Sequence, residues 1–359
     1  MRIIYLANHL NIGGITSYVF SLASGMKERG HGVYVASGGG RMEDDFRREG
    51  IVCVRAPLET KSEVSPRLAV SFFRLLPYIK KNRIDVIHCN TRVTQVLGCL
   101  LERASGIAHI STCHGFFKRR VSRLLFPCWG RKVIAVSEAV REHLIGDFGI
   151  NPSDIVVIHN GIDTERFAVR IKKDLDLGEG PVVGIIARLS DVKGHAYLIR
   201  AMHEVTARFP SVKLLIVGDG KIKNELLRLT NELGLGKNVS FLPAAVDTRE
   251  ALSAMDVFVL PSLAEGLGLS LMEAMAAGLA VIGSDIGGIR SLIQNGHNGI
   301  LVESRNVDAL SREISALLQD KQRRQRLGDN AARFIRENFS LSRMTEKTEE
   351  VYKICFGAG

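Results

Sequence analysis

The sequence is short of several features that would assign it to a class at once. It has only 6 cysteines in 359 residues, and no two stand as Cys-x-x-Cys. That spacing marks many zinc sites, and a dense set of cysteines marks a disulfide framework; neither pattern is here. Cys53, Cys89, Cys99, Cys113, Cys128 and Cys355 are scattered, which fits a reducing compartment, so a cytoplasmic protein is expected. No apolar run approaches the ~18 residues of a membrane span. The apolar run at Met1–Ala7 is too short for a secretory signal and leads into a glycine loop. Low-complexity tracts and short-period repeats are also absent.

Acidic residues are in deficit, with 48 Lys and Arg against 38 Asp and Glu, a net charge of +10. The imbalance is uneven: residues 1–168 hold 23 cations against 15 acids, and the remainder 25 against 23. A basic N-terminal half suggests an acidic partner, such as anionic lipid or a phosphorylated acceptor; the alternative is a solubility charge with no target. No nucleic-acid partner is expected.

What is present reads as two packed domains. The hydrophobic fraction is 46%, and a chain of this length suggests about two cores. Short β-branched runs alternate with helical patterns. The first set of strands is expected at residues 2–7, 32–36, 52–55, 86–89, 109–113, 132–136 and 156–159. The second is expected at 182–187, 213–217, 239–242, 257–260, 280–283 and 299–302. Such alternation predicts an α/β fold of parallel sheets with helices on both faces. The polar stretch Phe167–Gly180 suggests the boundary, giving domains 1–166 and 167–340 and a last helix over about 341–359.

The most informative stretch runs from Pro261 to Gly278. It sets Glu265 and Glu273 eight residues apart among apolar residues and glycines. Glu265 falls in a strand-to-helix loop, and Glu273 about one turn into an apolar helix. A carboxylate in such company is costly unless something pairs with it. The free N–H groups at a helix start, here Gly268 and Leu269, suit a diphosphate. A carboxylate one turn deeper suits vicinal hydroxyls such as those of ribose. Arg188 and Lys193 follow the first strand of the second set and suit phosphate oxygens; Asp191 lies between them and competes as a partner. Gly13 and Gly14 follow the first strand, where paired glycines permit close approach to a phosphate and positive φ. His114 ends a strand, the end that faces the ligand crevice in open α/β sheets.

Together these motifs resemble retaining GT-B glycosyltransferases of family 4 (glycosyl transferases group 1). The resemblance rests on the Glu265…Glu273 segment, on 11–18 with Gly13 and Gly14, on 112–115 with His114, on 158–163, and on 187–194 with Arg188 and Lys193. It implies two facing Rossmann-like domains with a deep cleft, the first binding a glycan or glycolipid acceptor and the second a nucleotide-diphosphate sugar. It also implies a last helix that packs on the first domain. His114 would contact the transferred sugar by imidazole or backbone, with no general-base role assigned. Glu265 would lie near the sugar hydroxyls or act on the developing cationic sugar, and Glu273 would recognise ribose. Residues 242–245 are a candidate base pocket. No cofactor and no essential metal are expected, since Asp44 and Asp45 read as a solvated helix face. The implied reaction is a hexosyl transfer in bacterial surface polysaccharide or lipopolysaccharide synthesis.

Rival classes are a nucleotide-sugar epimerase of the same fold and a non-catalytic sugar-nucleotide-binding subunit. A nicotinamide oxidoreductase is disfavoured because the first strand lacks the glycine fingerprint. Finally, residues 116–132 mix Lys118, Arg119, Arg120 and Arg123 with Phe, Leu and the single Trp129. This element suits the headgroup region of an anionic bilayer, and equally suits amphipathic core packing.

Overall fold

The computed structural model describes residues 1–169, 171, 175–245 and 247–357. Within the expected boundary stretch, Arg170 and residues 172–174 lie outside the described residues, as do Val246 and the last two residues of the expected final helix. The chain forms two compact units, 1–161 with 341–359, and 162–340.

The N-terminal unit is built on seven parallel strands: β1 (Arg2–Leu6), β2 (Gly32–Ser37), β3 (Val52–Arg55), β4 (Val86–Cys89), β5 (His109–Cys113), β6 (Val133–Ala135) and β7 (Ile155–Val157). Their order is β3-β2-β1-β4-β5-β6-β7, all pairs parallel. The sheet is covered on both faces, which is why its strands are apolar runs rather than alternating ones. The period of two still sorts the side chains. Ile3 and Tyr5 pack with Tyr18, Leu22 and Met26 of the helix Gly14–Glu28 and with Tyr352 and Cys355 of the helix Leu341–Gly357. Ile4 and Leu6 pack on the other face with Leu75, Ile79, Leu97 and Leu101, from the helices Pro66–Lys81 and Arg92–Ser105. The last helix of the chain thus completes the first sheet.

The second unit has six parallel strands: β8 (Val182–Ile186), β9 (Lys213–Val217), β10 (Val239–Leu242), β11 (Val257–Leu260), β12 (Ala280–Ser284) and β13 (Ile300–Val302). Their order is β10-β9-β8-β11-β12-β13. Chain order reverses between β1 and β4 in the first sheet and between β8 and β11 in the second. At such points the crossovers diverge to opposite faces and leave a crevice beyond the strand C-termini. The residues singled out in the sequence follow β1, β5, β8 and β11.

The division falls at Gly161/Ile162 rather than 166/167. Ile162 belongs with the second unit because its N–H donates to the Phe339 carbonyl at 3.0 Å, and the helix Thr164–Ala168 packs on the helix Leu269–Ala276.

Candidate active site

In the second unit, the loops after β8 and β11 are locked together. The Leu263 N–H donates to the Val192 carbonyl at 2.8 Å. Gly194 has φ +74°, and a Cβ there would stand 1.9 Å from the Pro261 carbonyl oxygen, so only glycine lets the two loops meet. This contact aims Lys193 at Glu265, and their side chains form an ion pair. The Ser262 hydroxyl also donates to the Glu265 carboxylate, at 3.5 Å. Asp191 forms no ion pair with a described residue, so Lys193 takes Glu265 and not Asp191 as its partner. Arg188 is exposed, and its guanidinium forms no ion pair among the described residues. It is a charge available to a ligand.

Gly268, at φ +96°, caps the helix Leu269–Ala276. No side chain fills this cap, so the first-turn N–H groups keep their capacity for an anion. One turn on, Glu273 accepts a hydrogen bond from the Thr248 hydroxyl at 2.8 Å. Burial pushes the Glu273 carboxyl up from 4.5 to about 7; the Thr248 bond and the Arg166 charge oppose the rise, and Asp247 adds to it. Asp247 is itself pulled down to about 2, chiefly by hydrogen bonding from Arg249, with Arg166 assisting. Glu273 is therefore poised near neutrality and gains from any ligand that donates hydrogen bonds to its ionised form.

Three contributors escaped the sequence reading. Gly288, after β12, lies so close to the Glu265 loop that a Cβ would stand 2.2 Å from the Glu265 carbonyl oxygen. Gly218-Asp219-Gly220, after β9, supports the Arg188 loop: the Leu189 N–H donates to the Asp219 carbonyl at 3.0 Å. Asp219 also accepts from the Ala244 N–H at 3.0 Å, which fixes the 242–245 segment. Thr248 is the third. Glycine pairs after strands were the available signal for the first two; nothing in the sequence marked Thr248.

In the first unit, the structure corrects the reading of Gly13. Its φ of 163° is ordinary extended backbone, and a Cβ there would meet nothing within 4 Å. Positive φ is therefore not what glycine supplies there. What it supplies is an unobstructed helix start, since Gly14 opens the 14–28 helix and no side chain caps it.

His114 follows β5. Its Nε2–H donates to Asn90 Oδ1 at 3.2 Å, and its ring meets the edge of Tyr18 at 4.6 Å between centroids and 74° between planes. Burial pushes the imidazole down to about 3, so His114 stays neutral at working pH. Asn90 is placed by the start of the next helix: its N–H donates to Thr94 Oγ1 at 3.1 Å, and Thr91 and Thr94 form a capping box.

Behind His114 lies a buried chain of hydroxyls. Tyr18 meets Thr112 at 3.1 Å, Thr112 meets His88 Nε2 at 2.7 Å, and His88 Nδ1 meets Tyr352 at 2.6 Å. The Tyr352 hydroxyl donates to Tyr5 at 3.0 Å. That last bond fixes every proton. His88 must donate from Nδ1 to Tyr352, Thr112 must donate to His88 Nε2, and Tyr18 must donate to Thr112. The order requires neutral His88, whose burial pushes it down to about 3.

The basic element divides. Lys118, Arg119 and Arg120 are exposed. Arg123 departs from expectation: only 7% exposed, its guanidinium lies 4.1 Å from the Phe117 ring centroid, 5.4 Å from Trp129 and 5.7 Å from Phe148. Stacking on three aromatic faces compensates its lost hydration, so Arg123 belongs to the core and not to a solvated patch.

Comparison with known proteins now decides the family. Residues 12–166 match the model described as Glycosyltransferase Family 4, and residues 168–334 match Glycosyl transferases group 1. The chain is 31% identical, over 88% of each chain, to a GDP-mannose-dependent alpha-(1-6)-phosphatidylinositol monomannoside mannosyltransferase of Mycolicibacterium smegmatis. The chain is a family 4 glycosyltransferase. A second relative is the UDP-Gal:alpha-D-GlcNAc-diphosphoundecaprenol alpha-1,3-galactosyltransferase of Escherichia coli, 30% identical over 79% of this chain and 78% of that one. Among solved structures, Anabaena Alr3699/HepE in complex with UDP-glucose superimposes with a TM-score of 0.86 at 22% identity, covering 99% of this chain and all of that one. That likeness carries the GT-B fold, which this family 4 glycosyltransferase shares. The family match favours a transferase over the epimerase and the non-catalytic subunit.

Proposed function

We propose that this transferase moves a hexosyl group from a nucleotide-diphosphate sugar to a glycan or glycolipid acceptor, with retention at the anomeric carbon and without an essential metal or other cofactor. The second unit binds the donor and the first the acceptor. One observation carries the reading: the Gly268-capped helix start sits one turn from Glu273, a carboxyl poised near neutrality, and the loop that leads into it carries the Lys193–Glu265 pair. Arg188, Lys193 and the helix N–H groups neutralise the leaving diphosphate. Glu273 takes the ribose hydroxyls. Glu265, held by Lys193, lies near the sugar, where positive charge develops. Neutral His114 offers a hydrogen-bonding edge to the transferred sugar. The acceptor's proton passes to the leaving phosphate oxygen during front-face attack, so the chain itself supplies no general base.

The activities of the mannosyltransferase and galactosyltransferase relatives, on a phosphatidylinositol mannoside and a diphosphoundecaprenol-linked sugar, support a lipid-linked acceptor here. A role in bacterial surface polysaccharide or lipopolysaccharide synthesis follows from that acceptor class, with the enzyme working in the cytoplasm at an anionic membrane face. No described helix is long and apolar enough to cross a membrane. The test is proton NMR of the first product formed in EDTA. The anomeric coupling should match the donor's configuration; an inverted coupling would overturn retention, and dependence on added divalent metal would overturn metal independence.

A further inference from the structure

The five most exposed large apolar side chains among the described residues, Val64, Phe73, Val121, Leu125 and Phe126, lie in two segments of the N-terminal unit. Val64 is 89% exposed and Phe73 73%, with Val70 between them, on the 66–81 helix and its approach. Leu125 is 68% exposed and is joined by Val121, Leu124 and Phe126, on the short helix Val121–Leu125 and its end. These segments are neighbours. Glu63 accepts from the Ser122 hydroxyl at 3.4 Å and pairs with Arg92 at 2.8 Å. Arg92 in turn donates to the Phe126 carbonyl at 2.6 Å and the Pro127 carbonyl at 2.7 Å.

The 66–81 helix is apolar on two sides. Leu68, Ser71, Leu75 and Ile79 face inward, whereas Val70, Phe73 and Pro77 form an outward ridge at helical spacing. No Asp or Glu occurs at residues 64–81 or 115–132. Exposed Arg67, Arg74 and Lys80 flank one segment, and exposed Lys118, Arg119 and Arg120 flank the other. A second copy of the chain would bring like charges together on such a surface. An anionic leaflet answers both of its features. Apolar side chains enter the acyl boundary while Lys and Arg stems reach the phosphates.

We propose that this acid-free ridge is a membrane-docking surface that inserts Phe73, Leu125 and Phe126 into an anionic leaflet, with Arg67, Arg74 and Lys118–Arg120 on the headgroups. The proposal rests on the membrane-borne acceptor inferred above and names the surface that meets that membrane. It places the 66–81 helix, which carried no membrane signal in the sequence, at the centre of the contact.

The test is co-sedimentation of the full chain with phosphatidylcholine vesicles containing or lacking phosphatidylglycerol. Wild type should bind the anionic vesicles and release at 0.5 M NaCl. Phe73→Ser with Leu125→Ser should weaken binding at least about tenfold, through lost apolar burial. Lys118→Ser, Arg119→Ser and Arg120→Ser together should weaken it by a similar or larger factor, at about fivefold per cation. All these side chains are exposed, and circular dichroism checks that the variants fold. Wild-type indifference to phosphatidylglycerol, or sedimentation unchanged in the Phe73/Leu125 variant, would overturn the proposal. So would a concentration-dependent dimer that the same variant abolishes, since that would assign the ridge to a second copy. Donor binding, measured separately by calorimetry, distinguishes failure of this surface from failure of the transferase reading.

Discussion

Replacing Glu273 with Gln should stabilise the ligand-free protein in alkali and leave it unchanged in acid. Burial raises this carboxyl from 4.5 to about 7. A carboxyl whose folded value is raised binds its proton more tightly in the folded state. Its contribution is therefore fully present below pH 4.5 and is lost as pH rises through 7. The full rise corresponds to ~3 kcal/mol, and allowing for solvent that still reaches the residue leaves ~2 kcal/mol. Gln keeps the shape and an oxygen to accept from Thr248, and it has no charge to desolvate. At pH 4, where Glu273 is protonated in both the folded and the unfolded chain, the two proteins should melt together. At pH 8.5 the variant should melt about 4–8 °C higher. Differential scanning calorimetry of both proteins without ligand, at the two pH values, makes the comparison. A variant that melts lower than wild type at pH 8.5 would refute the reasoning, because Glu273 would then be a stabilising ionised group rather than a strained one held for a ligand.

Other consequences are equally direct. Donor binding at pH 7 should release about half a proton from wild type and none from Glu273→Gln, because ribose hydroxyls favour the ionised carboxylate; calorimetry in buffers of different ionisation enthalpy reads this. Thr112→Val strands the buried hydrogen-bonding groups of His88 and Tyr18 and should cost about 3 kcal/mol in urea unfolding, whereas Thr112→Ser should cost about 1 kcal/mol. His88 and His114 are held at about 3 in the folded chain, so each contributes stability that is present above 6.5 and lost as pH falls towards 3. Each should therefore steepen acid unfolding by ~1.4 kcal/mol per pH unit, and His114→Gln should remove one share of that slope. Gly288→Ala should displace the Glu265 loop and weaken donor affinity at least about tenfold while leaving vesicle binding unchanged.

Much of this was legible because the fold repeats a local rule. Each strand is a short β-branched run, and each ligand loop follows a strand end, so Arg188, Lys193, Glu265 and His114 announced themselves by position. The partnerships were not legible. Nothing in the spacing paired Lys193 with Glu265 and not with Asp191, because the choice depends on Gly194 packing against Pro261, a contact 67 positions away in sequence. Thr248 and Asn90 are ordinary polar residues whose roles arise only from tertiary packing. The unit boundary was displaced because the polar composition of Phe167–Gly180 drew it downstream, whereas residues 162–168 already carry a short helix that docks on the 269–276 helix. Arg123 read as a surface charge because cation–π stacking on Phe117, Trp129 and Phe148 has no local signature.

The central claim is that the loops after β8 and β11 and the helix starting at Leu269 form a nucleotide-sugar site. Calorimetric titration with a panel of UDP-, GDP- and ADP-sugars in EDTA, on wild type and Glu273→Ala, tests it most directly. The account predicts that one donor binds wild type and loses about ten- to hundredfold in affinity in the variant, the worth of hydrogen bonds to one charged group. Binding of no donor, or equal binding by both proteins, would contradict it.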